Sequence, residues 1–323
     1  MSITDSYPPA YIRNMKAKDI LQRYATHERN FQSIRFNQIS LSGVNLSGAD
    51  FSYANLSCAD LNQSILKRAK FIWCDLNQAT LKNSNLDQAN LVYASLLWAN
   101  LSEASLSQAN LSNARLNHAN LQSACLNAAN LTNSCLDIAC LTRADLRGAD
   151  LFQANLKGVD GTEAIFNQAK LCQTNWEEAI LTNASLRQTD LEGAQLHKTI
   201  LCGADLSEAD LVEADLSDAD LTGAILRQVA LELAILVNTD LSDVDLSRAS
   251  LFKANLEGAV LDKTVLVDTD LRYANLKDTQ LQSVNLSGCR VKGALFTNAI
   301  GLSQTQKQWL IERGALNIEI DDY

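Results

Sequence analysis

Prolines number only two and glycines 13 in 323 residues, which excludes a low-complexity or collagen-like chain and leaves an ordered one. No run of about 18 apolar residues occurs, so no membrane-spanning helix and no membrane partner are expected. The N-terminus lacks a basic segment followed by an apolar one, and the resulting expectation is a cytoplasmic location. Phosphate-binding loops, nucleophile elbows and dinucleotide fingerprints are missing, as is any Cys-x-x-Cys pair. The expectation is therefore a protein that is not an enzyme and carries no cofactor and no metal. A net charge of −10 with no basic stripe argues against direct nucleic-acid binding.

What the chain has instead is a period. From Phe31 to Phe296 a large apolar residue returns at every fifth position, and Gly161 is the one break among 54 repeats. A period of five fits neither a helix of 3.6 residues per turn nor a strand alternating every two, so the chain must turn a corner once per repeat. A short extended segment followed by a tight turn takes in the central residue and the small residue two places before it, such as Leu101 and Ala99. The other three point outward. Internal repetition of this kind makes a solenoid, and the unbroken phase argues for a single repeat body.

Units such as Ala49-Asp50-Phe51-Ser52-Tyr53, Ala109-Asn110-Leu111-Ser112-Asn113 and Ala209-Asp210-Leu211-Val212-Glu213 resemble the A(D/N)LXX pattern of the pentapeptide repeat proteins. The resemblance implies an all-β solenoid, a right-handed quadrilateral β-helix with four pentapeptides per coil. Stacked neighbours would then lie 20 residues apart, and residues 31–300 would make about 13 coils at roughly 4.8 Å each. On that rule none of the eight cysteines is spaced for a disulfide ladder, and His27, His118 and His197 cannot converge on a zinc ion.

Solenoid ends need covers, because they expose an unpaired edge and an open apolar interior. Residues 1–30 read as a tail with a capping helix: Ala17, Ile20, Leu21 and Tyr24 fall on one helical face, with Asn14 as N-cap. Residues 301–323 read as the second cap, opened by Ser303 and Gln306, stopped at Gly314, and followed by a short strand through Leu316, Ile318 and Ile320. Within the core, Phe31, Phe51 and Phe71 should stack. The hole at Gly161 should be refilled by Phe166 and Trp176, and Asn90, Asn110 and Asn130 should form an amide ladder.

Two outer regions depart from the polar norm. Tyr53, Trp73 and Tyr93 recur at the 20-residue spacing beside Ile72 and Val92, with Leu97 and Trp98 round the corner. They form a candidate partner-binding patch. Between residues 201 and 245 eleven acids, Asp205, Glu208, Asp210, Glu213, Asp215, Asp218, Asp220, Glu232, Asp240, Asp243 and Asp245, face a single base, Arg227. The first reading is a rigid scaffold, monomer or homodimer, presenting the aromatic patch to a protein partner. The second follows from the resemblance: gyrase-protecting members are acidic dimeric rods that mimic duplex DNA. A spacer with no specific partner is the third.

Overall fold

The computed structural model describes residues 15–36 and 38–319, and these fall into two compact units, Met1–Ala154 and Asn155–Tyr323. Asn14, assigned above as a helix cap, lies outside the described residues, as do the rest of the 1–14 tail and Ile320. Both units are built from the same rung. The residue before each apolar centre forms a parallel bridge to the residue 20 places on, from Asn30 with Asp50 to Asn130 with Asp150 in the first unit, and from Asn155 with Asn175 to Gln280 with Ile300 in the second. Four pentapeptides therefore close one coil.

The corner has a specific chemistry. The N–H of the small residue returns to the carbonyl of the preceding centre, as from Ala104 to Leu101 at 3.0 Å. The residue just before it takes a left-handed φ, +55° at Trp73 and +59° at Glu103. That conformation costs a residue with a Cβ about 1 kcal/mol or more. In exchange the same residue's N–H bonds the neighbouring coil, as from Trp73 to the Val92 carbonyl at 3.1 Å, so no backbone donor is stranded at the corner.

A second device was not expected. The Asn90, Asn110 and Asn130 side chains do not run as an amide ladder. Each Oδ1 accepts the N–H two residues on, from Val92, Ser112 and Thr132 at 3.2, 3.0 and 2.9 Å. This is an Asx-turn, which a short carboxylate or amide makes and a longer side chain cannot. A hydrogen bond between amides of adjacent coils does occur, Asn275 Nδ2 donating to Asn255 Oδ1 at 2.9 Å.

The interior is mostly apolar, with buried Ser and Thr in some of the small inward slots, as at Thr174, whose hydroxyl donates to the Leu171 carbonyl. Leu106 and its fellow centres are fully buried, and the Phe31, Phe51 and Phe71 rings stack at 5.4 and 5.5 Å. At Gly161 the expected repacking is only half right. Phe166 and Trp176 do meet edge to face at 5.3 Å, but it is Leu181, from the next coil, that occupies the vacated space. Its Cδ2 would lie 2.8 Å from a Cβ at position 161.

Helix α1, Ala17–Ala25, begins with the Asp19 carboxylate accepting the Lys16 N–H at 3.0 Å. Only Ile20 is buried along it, and Leu21, placed above on the buried face, is exposed. The flanking residues fasten it instead: Tyr24 donates to the Ser47 carbonyl at 2.9 Å, and the Arg23 and Arg29 guanidiniums lie over the rings of Phe31 and Tyr24. Helix α2, Gln304–Glu312, has the capping box formed by Ser303 and Gln306 and buries Leu310. After it, Leu316 pairs with Leu295, with Ala315 inward and Leu316 exposed. No helix among the described residues is long and apolar enough to cross a membrane.

Candidate interaction surfaces

The aromatic residues lie on one corner ladder of the first unit. Tyr53 donates its backbone N–H to Ile72, and Trp73 donates to Val92, so Trp73 sits on the coil between those of Tyr53 and Tyr93. The Trp73 and Tyr93 rings stack face to face, centroids 4.3 Å apart and 9° from parallel. Stacking hides their faces from solvent and presents their edges, with 40% of Trp73 and 43% of Tyr93 still exposed. Tyr53 is 41% exposed. Ile72, Val92 and Leu97 fill the intervening surface half-buried. Round the next corner Trp98, 60% exposed, stacks on His118 at 3.9 Å, a partner that the aromatic count alone could not supply. Tyr53, Trp73 and Tyr93 thus share one corner ladder, and Trp98 stands on the next.

The acidic region proves to be a girdle. Asp205, Asp210, Asp215 and Asp220 belong to four different bridge ladders, so they run round one coil rather than down one side. Six of the eleven acids serve the backbone: Asp205, Asp210, Asp215, Asp220, Asp240 and Asp245 each accept the N–H two residues on. Burial pushes the Asp205 carboxyl up, but the Ser207 hydroxyl and N–H and the nearby Arg187 outweigh it and hold the pKa below the usual carboxylate value. Asp220 is likewise lowered, by Thr222, against its own burial. The expected clashes of Asp190 with Asp210 and of Asp220 with Asp240 are real neighbours in register. Glu208 and Asp218 accept from Gln188 and Asn238 of adjacent coils, and Asp243 lies 3.8 Å from Lys263.

Among the described residues one group could converge on a cation: Cys172, Asp190 and Glu192, whose ligand atoms lie within 4.8 Å of one another. Cys172 and Glu192 are 20 apart and stack in register, while Asp190, 18 from Cys172, joins them along the diagonal. Such diagonal contacts recur, as from Arg187 to Asp205 and Arg227 to Asp245. Burial and the Asp190, Glu192 and Asp210 carboxylates push the Cys172 thiol up, away from the thiolate that would bind a metal. Cys202 and Cys289 are pushed up to about 11 and about 12, chiefly by burial. All eight thiols are free.

The sequence reading also missed exposed apolar residues on the second unit. Leu233 and Tyr273 stand on one corner ladder with Lys253 between them, and Phe252 meets Tyr273 edge to face at 5.8 Å. Following every outer ladder at the 20-residue period, rather than only the one rich in aromatics, would have found them.

The family profile of pentapeptide repeats matches successive stretches between residues 30 and 300. No curated protein matches the chain. Among solved structures, HetL, a pentapeptide repeat protein involved in heterocyst differentiation regulation from the cyanobacterium Nostoc, is 30% identical over 87% of this chain and 97% of its own, with a TM-score of 0.27. A pentapeptide repeat protein from the cyanobacterium Cyanothece is 32% identical over 34% of this chain and 90% of its own, with a TM-score of 0.34. QnrB1, a plasmid-mediated fluoroquinolone resistance protein, is 18% identical over 88% of this chain and 98% of its own, with a TM-score of 0.20.

Proposed function

The chain belongs to the pentapeptide repeat family, and from that premise we propose that it is a non-catalytic scaffold whose Tyr53, Trp73, Tyr93 and Trp98 patch docks a protein partner. The stacked Trp73 and Tyr93 edges carry the reading. Outward slots elsewhere are mostly polar, and large rings held rigid by stacking lose little entropy on binding. The right-handed winding, about 13 coils over residues 31–300, and the role of α1 and α2 as covers on residues 1–30 and 301–323 are part of the same proposal. Eight free thiols suit a reducing compartment, and we place the protein in the cytoplasm.

Mimicry of duplex DNA is the weaker reading. It calls for negative charge repeated along the axis, as phosphates are, whereas here the acids are confined to about two coils and six of them are tied to backbone N–H groups. Purified chain is expected to leave gyrase supercoiling unprotected against a fluoroquinolone.

The test is affinity capture on the full chain beside the Trp73→Ala, Tyr93→Ala double variant, followed by titration of the recovered partner. Loss of about 2 kcal/mol or more, roughly 30-fold in affinity, is expected for central aromatic anchors. Both positions are corners whose backbone bonds the substitution keeps, so the circular dichroism should not change. A partner bound equally well by the double variant, or no specific partner at all, would sink the reading.

A further inference from the structure

One face of the second unit changes sign along its length. On successive coils its outward positions read Asp190 and Glu192, then Asp210 and Glu213, then Glu232 and Leu233. The next three coils read Phe252 and Lys253, then Arg272 and Tyr273, then Arg290 and Lys292. The ladder Asp190, Asp210, Ala230, Ser250, Asp270, Arg290 is continuous in the bridge pattern, so all six coils lie on the same side. Asp270 is buried and shared by Arg272 at 2.7 Å and Arg290 at 2.9 Å, which leaves the basic half with net positive charge in a chain of −10. In the acidic half Lys170 stands in register beside Asp190, the Asp190, Glu192 and Asp210 carboxylates push the Cys172 thiol up after burial does, and the buried Oε2 of Glu232 has no hydrogen-bond partner. Between the halves sit exposed Leu233 and half-buried Phe252.

We propose that this face binds the same face of a second copy, antiparallel, about a two-fold axis lying in the interface between the Leu233 and Phe252 coils. A two-fold contact must be self-complementary, residue i meeting j while j meets i. In the antiparallel arrangement Asp190 opposes Arg290 of the second copy, Glu192 opposes Lys292, Glu213 meets Arg272 and Tyr273, and Glu232 meets Phe252 and Lys253. The parallel arrangement sets acid on acid and base on base. The strip spans five coil steps, about 24 Å, and its contacts are mostly exposed charge pairs, which contribute little each. The dimer is therefore weak, with a dissociation constant on the order of 10 μM or above, and sensitive to salt.

Sedimentation equilibrium on the full chain, over a concentration series and at low and high sodium chloride, tests it. A monomer–dimer equilibrium is expected whose association weakens at least tenfold between about 0.05 and 0.5 M salt. Lys292→Glu and Glu192→Lys should each abolish association, since each creates two like-charge contacts per dimer, and the two together should restore it. All three variants should keep the circular dichroism of the parent. A monomer at every concentration and low salt, a dimer indifferent to the single substitutions, or a double variant that stays monomeric would overturn the proposal.

Discussion

Replacing Phe51 by alanine is expected to remove about 3–5 kcal/mol from the coils around it. Phe51 is fully buried with rings stacked on both sides, Phe31 at 5.4 Å and Phe71 at 5.5 Å, so the void cannot collapse without moving two neighbours. In a solenoid each coil touches only the next, and the loss should stay local. Hydrogen exchange should therefore show the amides from about residue 31 to residue 75 deprotected while those beyond residue 110 are unchanged. A loss below about 1 kcal/mol would mean that the rings are not close-packed.

The second large effect sits at the break in the repeat. Gly161→Leu restores the family pattern, and by sequence alone it should stabilise. In the structure the first carbon of any side chain there would stand 2.8 Å from Leu181 Cδ2, so the tip of Leu181 would have to move within the packed layer. Overpacking of this kind costs about 1–3 kcal/mol. Leu181→Ala alone should cost about 2–5 kcal/mol, and the pair together should cost clearly less than the sum, because each substitution relieves the other. Denaturant midpoints of the two single variants and the double variant supply the cycle.

These two sites mark how far the sequence could be read. The core was legible because its contacts repeat at a spacing set by the backbone: knowing that Phe31, Phe51 and Phe71 are 20 apart is enough to stack them. The Gly161 layer was legible only in part, since the filler came from the neighbouring coil, and a repeat pattern tells which residues point inward but not how far a side chain leans along the axis. Leu21 was misplaced for a similar reason. Its helical face assumes a broad apolar bed, whereas along α1 Ile20 alone is buried and Leu21 is left exposed.

On the outside, the ladder of Tyr53, Trp73 and Tyr93 could be aligned from spacing, while the work of the Asn and Asp side chains could not. Their partners lie 2 and 18 residues away as well as 20, as Asn110 with Ser112 and Arg227 with Asp245 show. A short polar side chain at a corner satisfies its own turn before it reaches its stacked twin. The eleven acids therefore looked like a patch in sequence and became a girdle in space, because four consecutive pentapeptides face four directions.

The stacking rule itself can be tested without crystals. In the Ser112→Cys, Thr132→Cys variant the two new thiols stand on adjacent coils, where Asn113 donates to the Thr132 carbonyl at 2.9 Å, within the Cα separation of about 4.4–6.8 Å that a disulfide requires. Mild oxidation followed by peptide mass analysis should show near-complete pairing of positions 112 and 132, and almost none between 112 and 127 in Ser112→Cys, Asn127→Cys. Efficient pairing at the 15-residue spacing, or none at 20, would contradict a coil of four pentapeptides.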